Sequence, residues 1–377
     1  MKRNKLAKKL TAALLTGAMV MSMGGMTAFA DTPKEIENIT LTKTVTTDGK
    51  TFAPNTEFKF TISEGEGGNM QIDGKNQSVE PGRPGLFTIS SSVPSGQERN
   101  DLKFAPDTTQ DPKGSYNREL IYDVNDPSEV GISKPGIYHY TIMETNDGYE
   151  GITYDDKERN IFVYVNSKVD ENNTPTGELY VSAIICEKDG GYEGLDQGSS
   201  KTGLTFTNDY GETNDKVHSL KVTKHIRGNQ ASAGDKFTFE VTVAGTSGEA
   251  YWVIYNEGLD TEEKQSVVSG QTVTFKNVQA DGIIMIYGLT SGDTYTVEET
   301  DNAGYTKTFV KEVGSETEKE AGNISGTIET NSAAEFINEK KADTPTGIAM
   351  TFAPYAVMVA FAGVFAVMFL RKKREDF

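Results

Sequence analysis

Between the two ends of the chain, short runs of β-branched and aromatic residues alternate with clusters of Gly, Asn, Asp and Pro. Phe58 to Ile62, Asn160 to Val165, Glu178 to Ile185, Lys236 to Val243 and Tyr251 to Tyr255 are such runs. Side chains on a strand point to opposite faces with period two, and runs of this type bounded by turn formers predict β-strands. Long amphipathic helical patterns are absent outside the two terminal segments, so the pattern predicts an all-β chain of sandwich type. Gly211 to Lys216 is polar and holds no apolar residue. It marks a boundary between a domain over residues 31–211 and a second over residues 216–340.

Both halves carry three landmarks in the same order. The first is a strand with a lysine in its apolar phase: Ile39-x-Leu41-x-Lys43-x-Val45, and Leu220-x-Val222-x-Lys224-x-Ile226. The second is Tyr138-x-Tyr140-x-Ile142-x-Glu144, matched by Tyr295-x-Val297-x-Glu299, with a Thr following each carboxylate (Thr145, Thr300). The third is Leu204-x-Phe206-x-Asn208, matched by Ala334-x-Phe336-x-Asn338. Neighbouring Lys221 and Glu298 fall on the outward phase and are set aside. Each half is thus expected to bury one Lys, one Glu and one Asn. The order is shared but the spacing is not: 64 residues separate Glu144 from Asn208, and 39 separate Glu299 from Asn338.

A buried charge without a partner is costly, and a buried ion pair often does no better than apolar replacements. For one lysine on one strand, the plainer reading is a strand-end residue just outside the core. Three residues repeated twice in the apolar phase favour a chemical use. Desolvation lowers a lysine's pKa and raises a glutamate's, and a neutral amine is a nucleophile. A protonated Glu can hydrogen-bond the Asn amide and shuttle protons. Attack of the amine on the Asn side-chain carbon would expel ammonia and leave a Lys–Asn isopeptide bond. Close approach in a dry pocket supplies the effective concentration, and no cofactor is needed.

The ends of the chain place it in the cell. Lys2, Arg3, Lys5, Lys8 and Lys9 precede an apolar stretch from Leu10 to Met26, and Ala28-Phe29-Ala30 is a small-x-small cleavage site. Residues 1–30 therefore read as a secretory signal peptide. Residues 348–370 carry no charge over 23 positions, enough to span a bilayer as a helix, and Arg371, Lys372, Lys373 and Arg374 follow at once. Just before that span stands Asp343-Thr344-Pro345-Thr346-Gly347. This DTPTG string resembles the LPXTG-like sorting signals read by sortases of Gram-positive bacteria. The resemblance makes residues 343–377 a sorting signal, implies cleavage between Thr346 and Gly347, and implies transfer of the Thr346 carboxyl to an amine.

Composition narrows the function further. Over 377 residues the net charge is −18, and basic residues cluster at the two ends, so the middle is more acidic still. Phosphate binding needs basic surface, which argues against a nucleic-acid partner. A single cysteine, Cys186, excludes an internal disulfide framework and a Cys-based zinc site. His139, His218 and His225 make no metal spacing, and no cofactor motif is present. Asp123, Asn125 and Asp126 read as a turn in preference to a calcium site. Gly65-Glu66-Gly67-Gly68 reads as a hairpin or loop, Cys186 as a small buried residue, and Trp252 beside Tyr251 and Tyr255 as core.

With these residues in hand, the chain resembles the backbone pilins of the streptococcal T-antigen type. They are tandem immunoglobulin-like, CnaB-type sandwiches cross-linked by Lys–Asn isopeptide bonds under a catalytic Glu. The motifs that carry the likeness are Leu41-Thr42-Lys43 and Val222-Thr223-Lys224, and the stretches from Lys134 to Glu144 and Leu289 to Glu299. Phe206-Thr207-Asn208 and Phe336-Ile337-Asn338 complete the set. The resemblance implies Lys43, Glu144 and Asn208 as one site and Lys224, Glu299 and Asn338 as the other. It also implies a subunit that is not an enzyme on diffusible substrates. Such a subunit is held first at the plasma membrane, then polymerised by a sortase with identical subunits and attached to peptidoglycan directly or through a base pilin. In that family the acceptor lysine lies just upstream of the last strand, which here is Lys201, with Lys188 as rival; a Tyr-Pro-Lys pilin motif is absent.

Reach points the same way. Only Glu339 to Asp343 separate Asn338 from the sorting signal, and five extended residues cover roughly 17 Å. A wall-anchored monomer normally needs a long stalk to clear the peptidoglycan, whereas a shaft subunit needs none. The alternative is a wall-anchored adhesin or minor pilin. The long Gly/Asn/Asp-rich excursions near residues 64–116 leave room for a host-ligand site of that kind.

Overall fold

In a computed structural model, residues 35–342 are described apart from 73, 189–190, 194–203, 313–314 and 316, together with residues 357–364; at 188 and 191–193 only the backbone is described. The expected signal peptide, Lys201, Thr346, Gly347 and the basic tail lie outside these residues. So does most of the expected span 348–370, of which 357–364 form a short helix. Among the described residues no helix is long and apolar enough to cross a membrane.

The rest is strand and turn. The first half contains β1 (Asn38–Thr47), β2 (Phe60–Glu64), β3 (Gly68–Ile72), β4 (Lys75–Pro81), β5 (Phe87–Ile89), β6 (Ser115–Val124), β7 (Gly136–Glu144), β8 (Arg159–Val169), β9 (Pro175–Lys188), β10 (Gly191–Glu193) and β11 (Leu204–Tyr210). The second contains β12 (Val217–Arg227), β13 (Phe237–Ala244), β14 (Ala250–Tyr255), β15 (Glu263–Val268), β16 (Thr272–Val278), β17 (Ile283–Thr290), β18 (Thr294–Asp301), β19 (Lys307–Glu312), β20 (Lys319–Glu320), β21 (Asn323–Thr327) and β22 (Ser332–Glu339).

Each half is a pair of sheets. In the first, a four-stranded sheet ordered β11-β1-β6-β5 faces a seven-stranded one ordered β10-β9-β8-β7-β4-β3. The C-terminal part of β7 pairs with β2 and its N-terminal part with β4. In the second, a seven-stranded sheet β15-β14-β17-β12-β22-β19-β20 faces a four-stranded one, β16-β13-β18-β21. Strict alternation drives this: β13 buries every second residue, so that Phe237, Phe239, Val241 and Val243 enter the core together. The first core gathers Leu41, Val45, Ile142, Ile161, Val163 and Phe206 in the same way.

The pairing that positions the chemistry is parallel. β1 lies beside β11, and β12 beside β22, so the opening strand of each half runs alongside its closing strand. Parallel neighbours cannot be joined by a tight turn and need a long crossover. Here the crossover is the remainder of each half.

Trp252 is buried, as expected of a core residue, but not in the core of its own half. On β14, Tyr251, Val253 and Tyr255 face the second core, while Trp252 and Ile254 point the other way. They form a separate cluster with Ala250 and with Phe52 of the first half, the Phe52 and Trp252 rings meeting edge-on at 5.8 Å. Around it, the Lys50 ammonium sits 2.9 Å from Glu257 and 3.1 Å from the Tyr287 hydroxyl. The Tyr149 hydroxyl donates at 2.7 Å to buried Glu249, and the Asn55 amide donates to the Ser247 carbonyl at 2.9 Å. Gly151, at φ 82°, passes so close to Thr290 and Tyr210 that a Cβ would stand 2.7 Å from each. The two halves are therefore packed against each other across an apolar joint. Cys186 is half-buried against the first core, and burial pushes its thiol up to about 12. Gly65 to Gly67 form the loop between β2 and β3.

Because Trp252 is the chain's only tryptophan, it reports on this joint. Phe52→Ala is expected to shift Trp252 emission to longer wavelength as water reaches the indole. An unshifted spectrum would show that the joint does not depend on the ring contact.

Candidate functional site

Lys43, Glu144 and Asn208 meet in the first half, and Lys224, Glu299 and Asn338 meet in the second. The register explains how. On the parallel strands Lys43 is opposite Phe206, so Asn208 lies one same-face position further along. Lys224 is opposite Phe336, and Asn338 stands at the same offset. Lysine and asparagine are thus diagonal neighbours on one sheet, and the glutamate arrives from the facing sheet, on β7 or β18. All six residues are buried.

Geometry joins each trio through its carboxylate. The Lys43 Nζ donates to Glu144 Oε2 at 2.8 Å, and the Asn208 amide nitrogen donates to Glu144 Oε1 at 2.8 Å. In the second half, Lys224 Nζ lies 2.9 Å from Glu299 Oε1, off the direction a hydrogen bond requires, and the Asn338 amide donates to that same oxygen at 2.8 Å. The outward Lys221 and Glu298 are exposed.

Aromatic rings wall both trios. Phe58 and Phe60 lie 4.9 and 5.9 Å from the Lys43 ammonium, and Phe237 and Phe239 lie 4.2 and 5.9 Å from that of Lys224. Phe60 stands opposite Glu144 and Phe239 opposite Glu299 in strand register. Phe60 packs on Phe206 and Phe239 on Phe336. Sequence reasoning did not single out these rings, although the repeat of Phe-x-Phe, Phe58-Lys59-Phe60 and Phe237-Thr238-Phe239, follows each lysine by a similar distance.

The electrostatics follow from this lining. Burial, opposed by the neighbouring glutamate, pushes the amines of Lys43 and Lys224 down from 10.5 to about 8. Burial also raises the carboxyls of Glu144 and Glu299 against the pull of their lysines. Both partners of each pair are drawn toward their neutral forms, because desolvation penalises charge. The arrangement can therefore present a neutral amine, a carboxyl able to carry a proton, and a fixed amide within one dry space.

The first site has a feature that the sequence did not reveal. The backbone N–H of Asp155 donates to Asn208 Oδ1 at 2.8 Å. Asp155 is in turn held by buried Arg159. In the second site, Asn338 Oδ1 and Glu299 Oε2 have no hydrogen-bond partner among the described residues.

The remaining candidates lie elsewhere. Lys188 ends β9, with its backbone alone described. His139 is buried beneath the β2–β3 loop, stacked on Phe162, with its ring nitrogens at Glu66 and Asn160. Asn125 bonds the Gly85 carbonyl and Asp126 accepts the Ser128 N–H, which are turn roles. No group of three or more His, Cys, Asp or Glu placed to hold a metal is present among the described residues.

Comparison with known proteins bears on the two halves separately. Residues 39–211 match the family described as the Spy0128-like isopeptide containing domain. Residues 218–340 match a family described as a domain of unknown function, DUF7601. Along its length the chain is similar to a pilin of Streptococcus pyogenes serotype M1, 25% identical over 384 residues, covering 97% of this chain and 99% of the relative. In structure it is similar to the major pilin from Streptococcus pyogenes, with a TM-score of 0.51 at 19% identity, covering 81% of this chain and 99% of that one. The expected likeness to streptococcal major pilins is thus found both in sequence and in fold.

An Asn208→Ala, Asn338→Ala double variant keeps both lysine–glutamate pairs but offers no amide to attack. Between the folded amine value near 8 and the ordinary 10.5, the unfolded chain holds lysine protons that the folded chain does not. Stability of this variant is therefore expected to rise from about pH 8 to 10, by at most about 1.4 kcal/mol per pH unit for each lysine. Urea midpoints across that range check it. A flat or falling trend would mean that the ammonium forms are tolerated.

Proposed function

We propose that the chain is a structural subunit of a cell-surface pilus, each half stiffened by a self-formed Lys–Asn isopeptide bond and the subunits joined by a sortase. The supporting observation is the recurrence of one buried Lys–Glu–Asn geometry, in identical strand register, in two halves with different sheet layouts. Likeness to a pilin along nearly the whole chain supports the pilus assignment.

The chemistry balances within each trio. The ammonium of Lys43 passes one proton to the Glu144 carboxylate, leaving a neutral amine and a carboxylic acid. The amine attacks Asn208 Cγ, forming the new C–N bond and placing negative charge on Oδ1. A second proton moves from the attacking nitrogen to Nδ2 by way of the Glu144 carboxyl. The Cγ–Nδ2 bond then breaks, ammonia leaves, and the proton left on Glu144 accompanies it as ammonium. Lys224, Glu299 and Asn338 follow the same course.

Topology gives the bond its purpose. Tying an opening strand to a parallel closing strand lets tension pass from Lys43 directly to Asn208, bypassing the 164 residues between them. By analogy with disulfides, closing a loop of 100 residues is worth about 4.7 kcal/mol through unfolded-state entropy. Fewer opened states would then be offered to proteases. Export by residues 1–30, cleavage between Thr346 and Gly347, and acceptance by Lys201 complete this reading, with Lys188 the rival acceptor.

Intact mass tests the bonds. The segment 31–342 is expected to fall short of its sequence mass by two ammonia molecules, and the Glu144→Ala variant by one; an unaltered mass would falsify both links. Denaturing electrophoresis of wall extracts tests the polymer. A ladder of covalent multimers is expected, lost on Lys201→Ala while monomer export continues. A ladder that persists moves the acceptor to another lysine, and wall-bound monomer without a ladder supports the adhesin or minor-pilin alternative.

A further inference from the structure

We propose that the backbone N–H of Asp155, positioned by the ion pair of Asp155 with buried Arg159, is the oxyanion donor for bond formation in the first half, and that the Lys43–Asn208 link therefore closes before the Lys224–Asn338 link. This assignment rests on reading the two trios as cross-linking sites.

When the amine adds to Asn208 Cγ, negative charge develops on Oδ1, and a donor already aimed there stabilises the transition state without reorganising. The Asp155 N–H is 2.8 Å from that oxygen. It is held on two sides. Immediately before it, Thr153 and Asp209 exchange two main-chain hydrogen bonds, at 2.8 and 3.0 Å, so residues 153–155 run beside β11. After it, Arg159 Nη2 donates to Asp155 Oδ2 at 2.5 Å, while Nη1 donates to the Thr205 carbonyl on that same β11. The guanidinium also lies 3.9 Å over the Phe206 ring. Asp155 and Asn208 are therefore tied to one strand, and the N–H cannot drift from its target independently of it.

Arg159 contributes through charge as well as position. Its cation opposes protonation of Lys43 and so offsets part of the opposite pull of the Glu144 and Asp155 carboxylates, which favour the ammonium. Among the described residues the second half has no counterpart. There β22 is flanked by the regular strand β19, and Asn338 Oδ1 meets no donor among the described residues. Lys224 is correspondingly off-line to Glu299.

The test follows both links in one molecule. The full-length chain is taken unfolded from inclusion bodies in urea and refolded by dilution into detergent-containing buffers of different pH. Samples are quenched over time, and mass spectrometry of tryptic digests counts the Lys43–Asn208 and Lys224–Asn338 peptide pairs separately. In the wild type the first link is expected to close about tenfold sooner or more; simultaneous closure, or the second link first, overturns the proposal. Asp155→Pro removes the N–H and is expected to slow the first link about 100-fold without altering the second. Asp155→Ala keeps the N–H and should slow it less; equal rates in the two variants exclude the donor role. Arg159→Met is expected to slow the first link and move its pH profile to higher pH, and an unmoved profile removes Arg159 from the assignment. If Asp155→Pro fails to fold, as judged by circular dichroism, the wild-type order and the Arg159→Met profile still decide. Wild type that forms neither link overturns the cross-linking reading itself, whereas links closing in the wrong order overturn this assignment alone.

Discussion

Everything in this structure turns on what it costs to hold a lysine amine among phenylalanine rings. Water is replaced on one side by Phe58, Phe60 and Phe206, and in the second half by Phe237, Phe239 and Phe336. A charge in such surroundings loses most of its hydration, and its attraction to a single carboxylate restores only part of that loss. The balance shifts both partners toward neutrality. On the proposed cross-linking reading, a poor stabilising device becomes a reactive one, since a neutral amine and a protonated carboxyl beside an amide are the reagents for amide exchange.

The two halves reach this arrangement from different scaffolds. In the first, lysine and asparagine stand on the four-stranded sheet and glutamate on the seven-stranded one; in the second these assignments are exchanged. The constant element is smaller than a sheet. It consists of the parallel pairing of first and last strands, the two-residue offset between lysine and asparagine, and a facing strand that brings the glutamate opposite a phenylalanine. Distance between landmarks along the chain is free to vary, because the intervening strands β8 to β10, or β19 to β21, only have to return the chain to the same edge. That accounts for the unequal 64- and 39-residue spacings.

In the proposed filament, stiffness between the halves would matter as much as stiffness within them. The joint built on Phe52 and Trp252, with Tyr149 on buried Glu249 and Lys50 on Glu257, packs the halves together through apolar contact and charged hydrogen bonds. The connection is consequently more than the polar stretch from Gly211 to Lys216, where Lys216 itself turns back to bond the Ile152 carbonyl.

The alternation of side chains by itself determined the strands, the buried phase of Lys43, Glu144, Asn208, Lys224, Glu299 and Asn338, and the rejection of Lys221 and Glu298. Period two is a local property, and local properties survive in a linear chain. It assigns a face without naming the neighbour across that face. Trp252 was legible as buried but not as facing the other half. The phenylalanine walls were visible as a repeat whose partners could not be assigned. The Asp155 N–H carried no signal at all, since a main-chain donor is common to nearly every residue and acquires meaning only where folding aims it. Those decisions belong to pairings between residues far apart in the chain, set by strand register and by the return path of each crossover. Only the tertiary structure holds that information.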